Sequence, residues 1–187
     1  MNSQNKNCLI CQRIELIKKK KNPYFIKEFE TGYAVLGDLQ FFKGYCLLLC
    51  KLHKKELHEL DKKFRMKFLK EMVVLAEAIY KAFKPKKLNY ELLGNNDEHL
   101  HWHIFPRYSN DPNPKTPIWC IDKNIRCSEK TKPSKKEIET LKRKILKEIK
   151  WGINNIVITL ALNRADRPCL MPDALFVWGP KWDSIIF

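Results

Sequence analysis

At 187 residues, 44% hydrophobic and 30% charged, the chain has the size and make-up of one water-soluble globular domain with a sizeable core. It has no run of about 18 apolar residues to span a bilayer, and residues 1–8 lack the apolar core of a signal peptide, so a cytoplasmic protein without membrane contact is expected. The net charge of +15 is mostly lysine scattered over the chain, which suits polyanionic ligands better than a dedicated nucleic-acid groove.

Cys8-Leu-Ile-Cys11 opens the folded part and leads into a short helix over 12–17. Thiolates at this spacing can share one metal ion or form a redox pair; two cysteines that merely flank a helix start are the plain alternative. The chain has seven cysteines, an odd number without framework spacing, which favours free thiols or metal ligands over disulfides. Residues 24–29 and 33–36 read as strands joined through Glu30-Thr31-Gly32. Asp38 follows, and Phe41-Phe42-Lys43-Gly44 turns into a third strand over 45–50. That strand is apolar throughout, so Cys46 and Cys50 read as core. Residues 62–83 form the clearest helix, with Phe64, Phe68, Met72, Leu75, Ile79 and Phe83 on one stripe and Pro85 as its stop.

A fourth strand over 88–93 turns at Gly94-Asn95-Asn96 into the segment that dominates the sequence, His99-Leu100-His101-Trp102-His103-Ile104-Phe105. Three of the chain's five histidines fall here. On a strand, i, i+2 and i+4 share a face, so His99, His101 and His103 would stand together, with Leu100, Trp102, Ile104 and Phe105 buried behind them. On a helix the three would fan over about 200° and form no common site. Histidine is the side chain that titrates near neutrality unperturbed, and three on one face mark a site.

Residues 108–119 carry three prolines and read as an ordered loop that could fold over a ligand, with Trp119 available for stacking. Ser134-x-x-Glu137 is a capping box opening a helix with Ile138, Leu141, Ile145 and Ile149 on one side. Residues 1–150 read as the catalytic domain and 151–187 as a tail of different character. Residues 156–162 in it are apolar and could be an extra strand, an interaction segment or an appended stretch.

The His-φ-His-φ-His-φ-φ run, where φ is apolar, resembles the signature of the histidine-triad (HIT) superfamily of nucleotide hydrolases and transferases. Its surroundings, Leu88-Asn-Tyr-Glu-Leu-Leu-Gly-Asn95 and Phe105-Pro-Arg107, are similar to the diadenosine-tetraphosphate-hydrolase-like bacterial branch. The resemblance covers roughly residues 8 to 150. It implies an α+β, HIT-like fold: an antiparallel sheet of about five strands with one long and one or two shorter helices. It also implies dimerisation through the sheet and long helix. Lys51-Leu52-His53 resembles the family's Lys-x-His segment, although Cys50 stands where the family usually has proline. In members with Cys-x-x-Cys, this histidine and the first of the triad complete a zinc site, so the resemblance assigns Cys8, Cys11, His53 and His99 to structural zinc. His58 is the weaker ligand candidate. With all four positions filled by protein, such an ion is structural, and no catalytic metal or organic cofactor is expected.

By the same resemblance His101 attacks the α-phosphorus of a nucleotide, with the carbonyl of His99 setting its tautomer. His103 donates to a phosphate or bridging oxygen, Asp38 holds ribose hydroxyls, and Asn95, then Asn96, lie near phosphate and ribose. The family's longer Gly-Gln-Ser or Gly-Gln-Thr loop is missing, so its phosphate donors do not transfer. The expected substrate is a purine nucleotide conjugate, foremost a dinucleoside polyphosphate such as diadenosine tetraphosphate. One rival is a zinc-stabilised nucleotide- or RNA-binding module without turnover. The other is a hydrolase with catalytic zinc on the three histidines, which on a flat strand span about 13 Å and surround one ion poorly.

Overall fold

The computed structural model describes residues 7–165, with side chains over 7–150. Strands β1 (Phe25–Glu28), β2 (Gly32–Leu36), β3 (Cys46–Cys50), β4 (Lys87–Glu91) and β5 (His101–Arg107) make one antiparallel sheet in the order β1-β2-β3-β5-β4. The expected α+β architecture is therefore the observed one. The strand with three histidines begins two residues later than anticipated: His99 and Leu100 precede β5.

The sheet has two covered faces. Cys46, Leu48, Cys50 and Ile104 point to the larger core, under helices α2 (Lys62–Phe83) and α3 (Lys135–Ala165). The α2 stripe behaves as its spacing predicts: Phe68, Leu75 and Ile79 are sealed, while Phe64, Met72 and Phe83 pack at the margin. Asp61 caps the helix through Phe64 N–H at 3.0 Å. Lys84 ends it in the left-handed conformation, φ 50°. Glu71 is buried on α2, and it accepts the Thr31 backbone N–H at 3.1 Å and the Thr31 hydroxyl. These bonds pin α2 to the β1–β2 turn.

The opposite face carries the short helix α1 (Leu9–Lys18), packed through Ile10, Ile14 and Ile17 on Tyr33, Val35 and Leu49. It covers only the β1–β3 side. The part of this face nearer β5 is left open as a cavity wall.

At the other end, the Ser134–Glu137 capping box opens α3, and Ile138, Leu141, Ile145 and Ile149 are buried as expected. The helix continues through residue 150 to Ala165, so the expected domain boundary falls inside one helix, and residues 156–162 are helical rather than an added strand. The remainder of the tail, 166–187, lies outside the described residues.

Candidate active site and metal cluster

Alternation along β5 sends His101, His103 and Phe105 to the open face. Phe105 thus joins the histidines, against the expectation that it lies behind them. Its ring is parallel to that of His103 at 5.7 Å and to that of Tyr45 at 4.0 Å. The wall of this cavity is itself apolar, so a large aromatic residue there satisfies the same burial as in the core. Trp102 takes the other face, with its Nε1 buried and unpaired.

Nδ1 of each of these two histidines has a hydrogen-bond partner. Nδ1 of His101 lies 2.5 Å from the carbonyl oxygen of His99. A carbonyl only accepts, so Nδ1 carries the proton and Nε2 is left with a lone pair. Nδ1 of His103 lies 2.6 Å from the Tyr45 hydroxyl. Burial keeps that phenol protonated, raising its pKa, and burial also depresses His103 to about 3, so the imidazole is neutral. The phenol can donate to Nδ1 or accept from it; donation would place the His103 proton on Nε2. In that arrangement the adjacent rings, 4.7 Å apart between centroids, present one acceptor and one donor.

The two rings line a cavity of about 290 Å³ whose apolar walls include Leu9 and Ile10 of α1 and Phe41 and Phe42 of the turn before β3. Asp38 is also in its wall, held bidentate by Arg13 of α1, with Nη1 2.7 Å from Oδ1 and Nη2 on Oδ2. A second, shallower space of about 240 Å³ adjoins the same two histidines and is lined by Asn95, Asn96 and Trp119. Trp119 sits in a turn of 3₁₀ helix, Ile118–Cys120. Its Nε1 donates to Glu91 at 2.6 Å, and the Arg126 guanidinium lies 4.7 Å over its ring. Burial raises the Glu91 carboxyl above its ordinary value, and the Trp119 bond opposes that.

His99 leaves the cavity. Its ring is 1% exposed and turns toward the N-terminus of α1. There its Nδ1 lies 3.5 Å from both Cys8 Sγ and Cys11 Sγ and 3.1 Å from His53 Nδ1, while Cys11 Sγ is 3.4 Å from His53 Nδ1. All four donor atoms fall within 4.8 Å of one another. Around a tetrahedral ion with metal–sulfur of about 2.3 Å and metal–nitrogen of about 2.05 Å, sulfur–nitrogen edges are about 3.5 Å and nitrogen–nitrogen edges about 3.3 Å. The four distances given match those edges, and the group could hold a metal ion. His99 Nε2 donates to the Cys50 carbonyl at 2.9 Å, which leaves the Nδ1 lone pair facing the cluster. His58, the weaker candidate, lies outside this group, on a 3₁₀ turn over Leu57–Glu59.

The expected residues therefore divide between two neighbouring places. His101, His103, Asp38, Asn95, Asn96 and Trp119 gather around the two cavities; Cys8, Cys11, His53 and His99 gather beside them. The three histidines do not form one site. Arg13 and Tyr45 were not anticipated. Arg13 offers one sequence clue, an arginine in a lysine-rich chain two residues after Cys11, whereas Tyr45 offers none.

A family model described as the HIT domain matches residues 18–110. Among solved structures, the chain is similar to a histidine triad protein from Sinorhizobium meliloti 1021 (22% identity, 72% of this chain and 93% of that one, TM-score 0.60). It is also similar to a histidine triad protein from Bradyrhizobium japonicum (20%, 67% and 89%, 0.59). A third likeness is to a Zn-bound histidine triad family protein from Mycobacterium smegmatis (17%, 86% and 98%, 0.53). At these identities the likeness is one of fold. No curated protein matches the sequence.

Proposed function

We propose, for a chain that carries a domain of the HIT family, a nucleotide hydrolase or nucleotidyl transferase acting at the α-phosphate of a purine nucleotide conjugate. The fitting substrate class is a dinucleoside polyphosphate. The observation that carries the reading is the His99 carbonyl 2.5 Å from Nδ1 of a His101 that lines the cavity. That bond prepares Nε2 as a nucleophile without a separate base.

In the first step Nε2 of His101 forms a bond to the α-phosphorus, and the bond from phosphorus to the bridging oxygen breaks. His103 Nε2–H lies beside that centre and donates to the phosphate or leaving oxygen as charge develops. Water then cleaves the nucleotidyl-histidine and restores the neutral imidazole. Asp38, fixed by Arg13, takes the ribose hydroxyls, and Asn95 and Asn96 take the phosphates. Tight preparation of His101 favours turnover over a binding module that has lost it.

Zinc fits the two-thiol, two-imidazole donor set, held by Cys8, Cys11, His53 and His99. When bound it supplies structure, tying α1 to the start of β5. A second copy of the chain is the partner suggested by the free edge of β4. Tyr90 there is 48% exposed, and Val73 and Tyr80 of α2 are 47% and 54% exposed. Sedimentation at low micromolar concentration would show a dimer, and a monomer would remove this element.

The test of the central reading is rapid-quench incubation with α-labelled dinucleoside tetraphosphate. Acid-labile label on His101 is expected, and it should be absent after His101→Ala. A labelled His101→Ala protein, or turnover with no label in the native chain, would sink the reading.

A further inference from the structure

Asn22 is 9% exposed, precedes β1, and lines the larger cavity. Its Oδ1 accepts the Tyr24 backbone N–H at 2.9 Å. That bond settles which end of the amide is oxygen, because the reverse orientation would set N–H against N–H. Nδ2 then has no hydrogen-bond partner among the described residues, and it is not sealed off as Trp102 Nε1 is. The residue that carries it lines the cavity.

Its place in the sheet says what it would meet. The Tyr24 carbonyl accepts Leu36 N–H at 2.9 Å, so the Asn22 turn lies beside the end of β2, two residues before Asp38. Crossing from β1 through β2 and β3 to β5, the cavity residues come in the order Asn22, Asp38, Tyr45, then His101 and His103. Three interstrand spacings make about 14 Å. With the α-phosphate at His101 and ribose at Asp38, the next group along a nucleotide is the base, and Asn22 stands at that end.

Nδ2 offers donors only, since Oδ1 is directed at the Tyr24 N–H, and Arg13, in the same wall, also carries only donors. Guanine and hypoxanthine present two adjacent acceptors, N7 and O6; adenine presents N7 beside an amino donor. We propose that Asn22 makes the cavity selective for a 6-oxopurine base, so that guanosine and inosine conjugates are taken ahead of adenosine ones. This rests on the nucleotide reading above and names its base.

The experiment is calorimetric titration of the full chain with GMP, IMP and AMP. GMP and IMP are expected to bind roughly 10- to 100-fold tighter than AMP. Asn22→Ala should bring the three together. Asn22→Asp keeps the oxygen that accepts Tyr24 N–H and replaces the donors with an acceptor, so it should turn the ratio toward AMP even where overall affinity falls. AMP binding as tightly as GMP in the native chain overturns the proposal, as does a GMP preference that survives both substitutions. If none of the three nucleotides binds, the nucleotide reading itself fails, and this inference fails with it.

Discussion

The backbone carbonyl of His99 holds Nδ1 of His101 at 2.5 Å, while the His99 ring sits between two cysteines. One residue therefore belongs to both places: its side chain to the cluster, its main chain to the cavity histidine proposed as nucleophile. Whatever fixes the ring also fixes the carbonyl that sets the His101 tautomer.

Removing a cluster ligand should accordingly act on stability first. Cys8→Ser, or metal removal by a strong chelator, is expected to lower Tm on the order of 10 °C, equivalent to roughly 3 kcal/mol for a chain this long. Below the new Tm the acid-labile label on His101 should still form, more slowly. Scanning calorimetry with and without chelator checks it; superimposable melts would show that the cluster carries no ion.

Tyr45→Phe removes the hydroxyl that holds His103 Nδ1 at 2.6 Å and keeps the ring stacked on Phe105 at 4.0 Å. The expected loss is roughly tenfold in kcat, about 1.4 kcal/mol, with KM little changed. Steady-state kinetics separates the two. An equal rise in KM would assign Tyr45 to substrate binding instead.

Burial lowers His103 from 6.5 to about 3. A depressed folded pKa means that the unfolded chain binds the proton first as pH falls. The neutral-imidazole stability is thus complete above about 6.5, is lost as pH falls below that value, and has levelled off by about 3. Urea melts at pH 7, 5.5 and 4.5 should show this decline, and His103→Gln should flatten it. A decline of equal slope in the variant would place its origin elsewhere.

The Arg13–Asp38 pair is 30% and 43% exposed at its side chains, so it contributes little to stability, at most about 1 kcal/mol after screening. Its bidentate geometry is better explained by the cavity it lines. Asp38→Asn should leave Tm within a few degrees and raise KM roughly tenfold, the scale of one charge-assisted hydrogen bond. A large loss of Tm with unchanged KM would make the pair structural.

What could be seen in the amino-acid order was what repeats. The period of two from His99 to Phe105 and the three-to-four spacing of α2 each report a buried face, so the sheet, the long helix and the direction of His101 and His103 followed from them. Residues whose role depends on a neighbour distant in sequence could not be seen in this way. Tyr45 meets His103 across 58 residues, and Arg13 meets Asp38 across 25. Phe105 was placed on the wrong face because it was read by its hydrophobicity, whereas strict alternation puts it with the histidines. The division of the three histidines between two places depends on Cys8 and Cys11 arriving beside His99, a consequence of tertiary folding that strand periodicity cannot express.

Cys8 and His99 are 91 residues apart, and α1, capped by Cys8 and carrying Cys11 and Arg13, supplies part of the cavity wall. α1 can pack on β2 and β3 through Tyr33, Val35 and Leu49, whereas its cysteines meet His99 only once the segment before β5 has been made, a long-range closure that folds late. Chains should pass through a stage with the sheet formed and the Cys8, Cys11, His53 and His99 group still open. Capture of an ion there would then lock the His99 carbonyl beside His101.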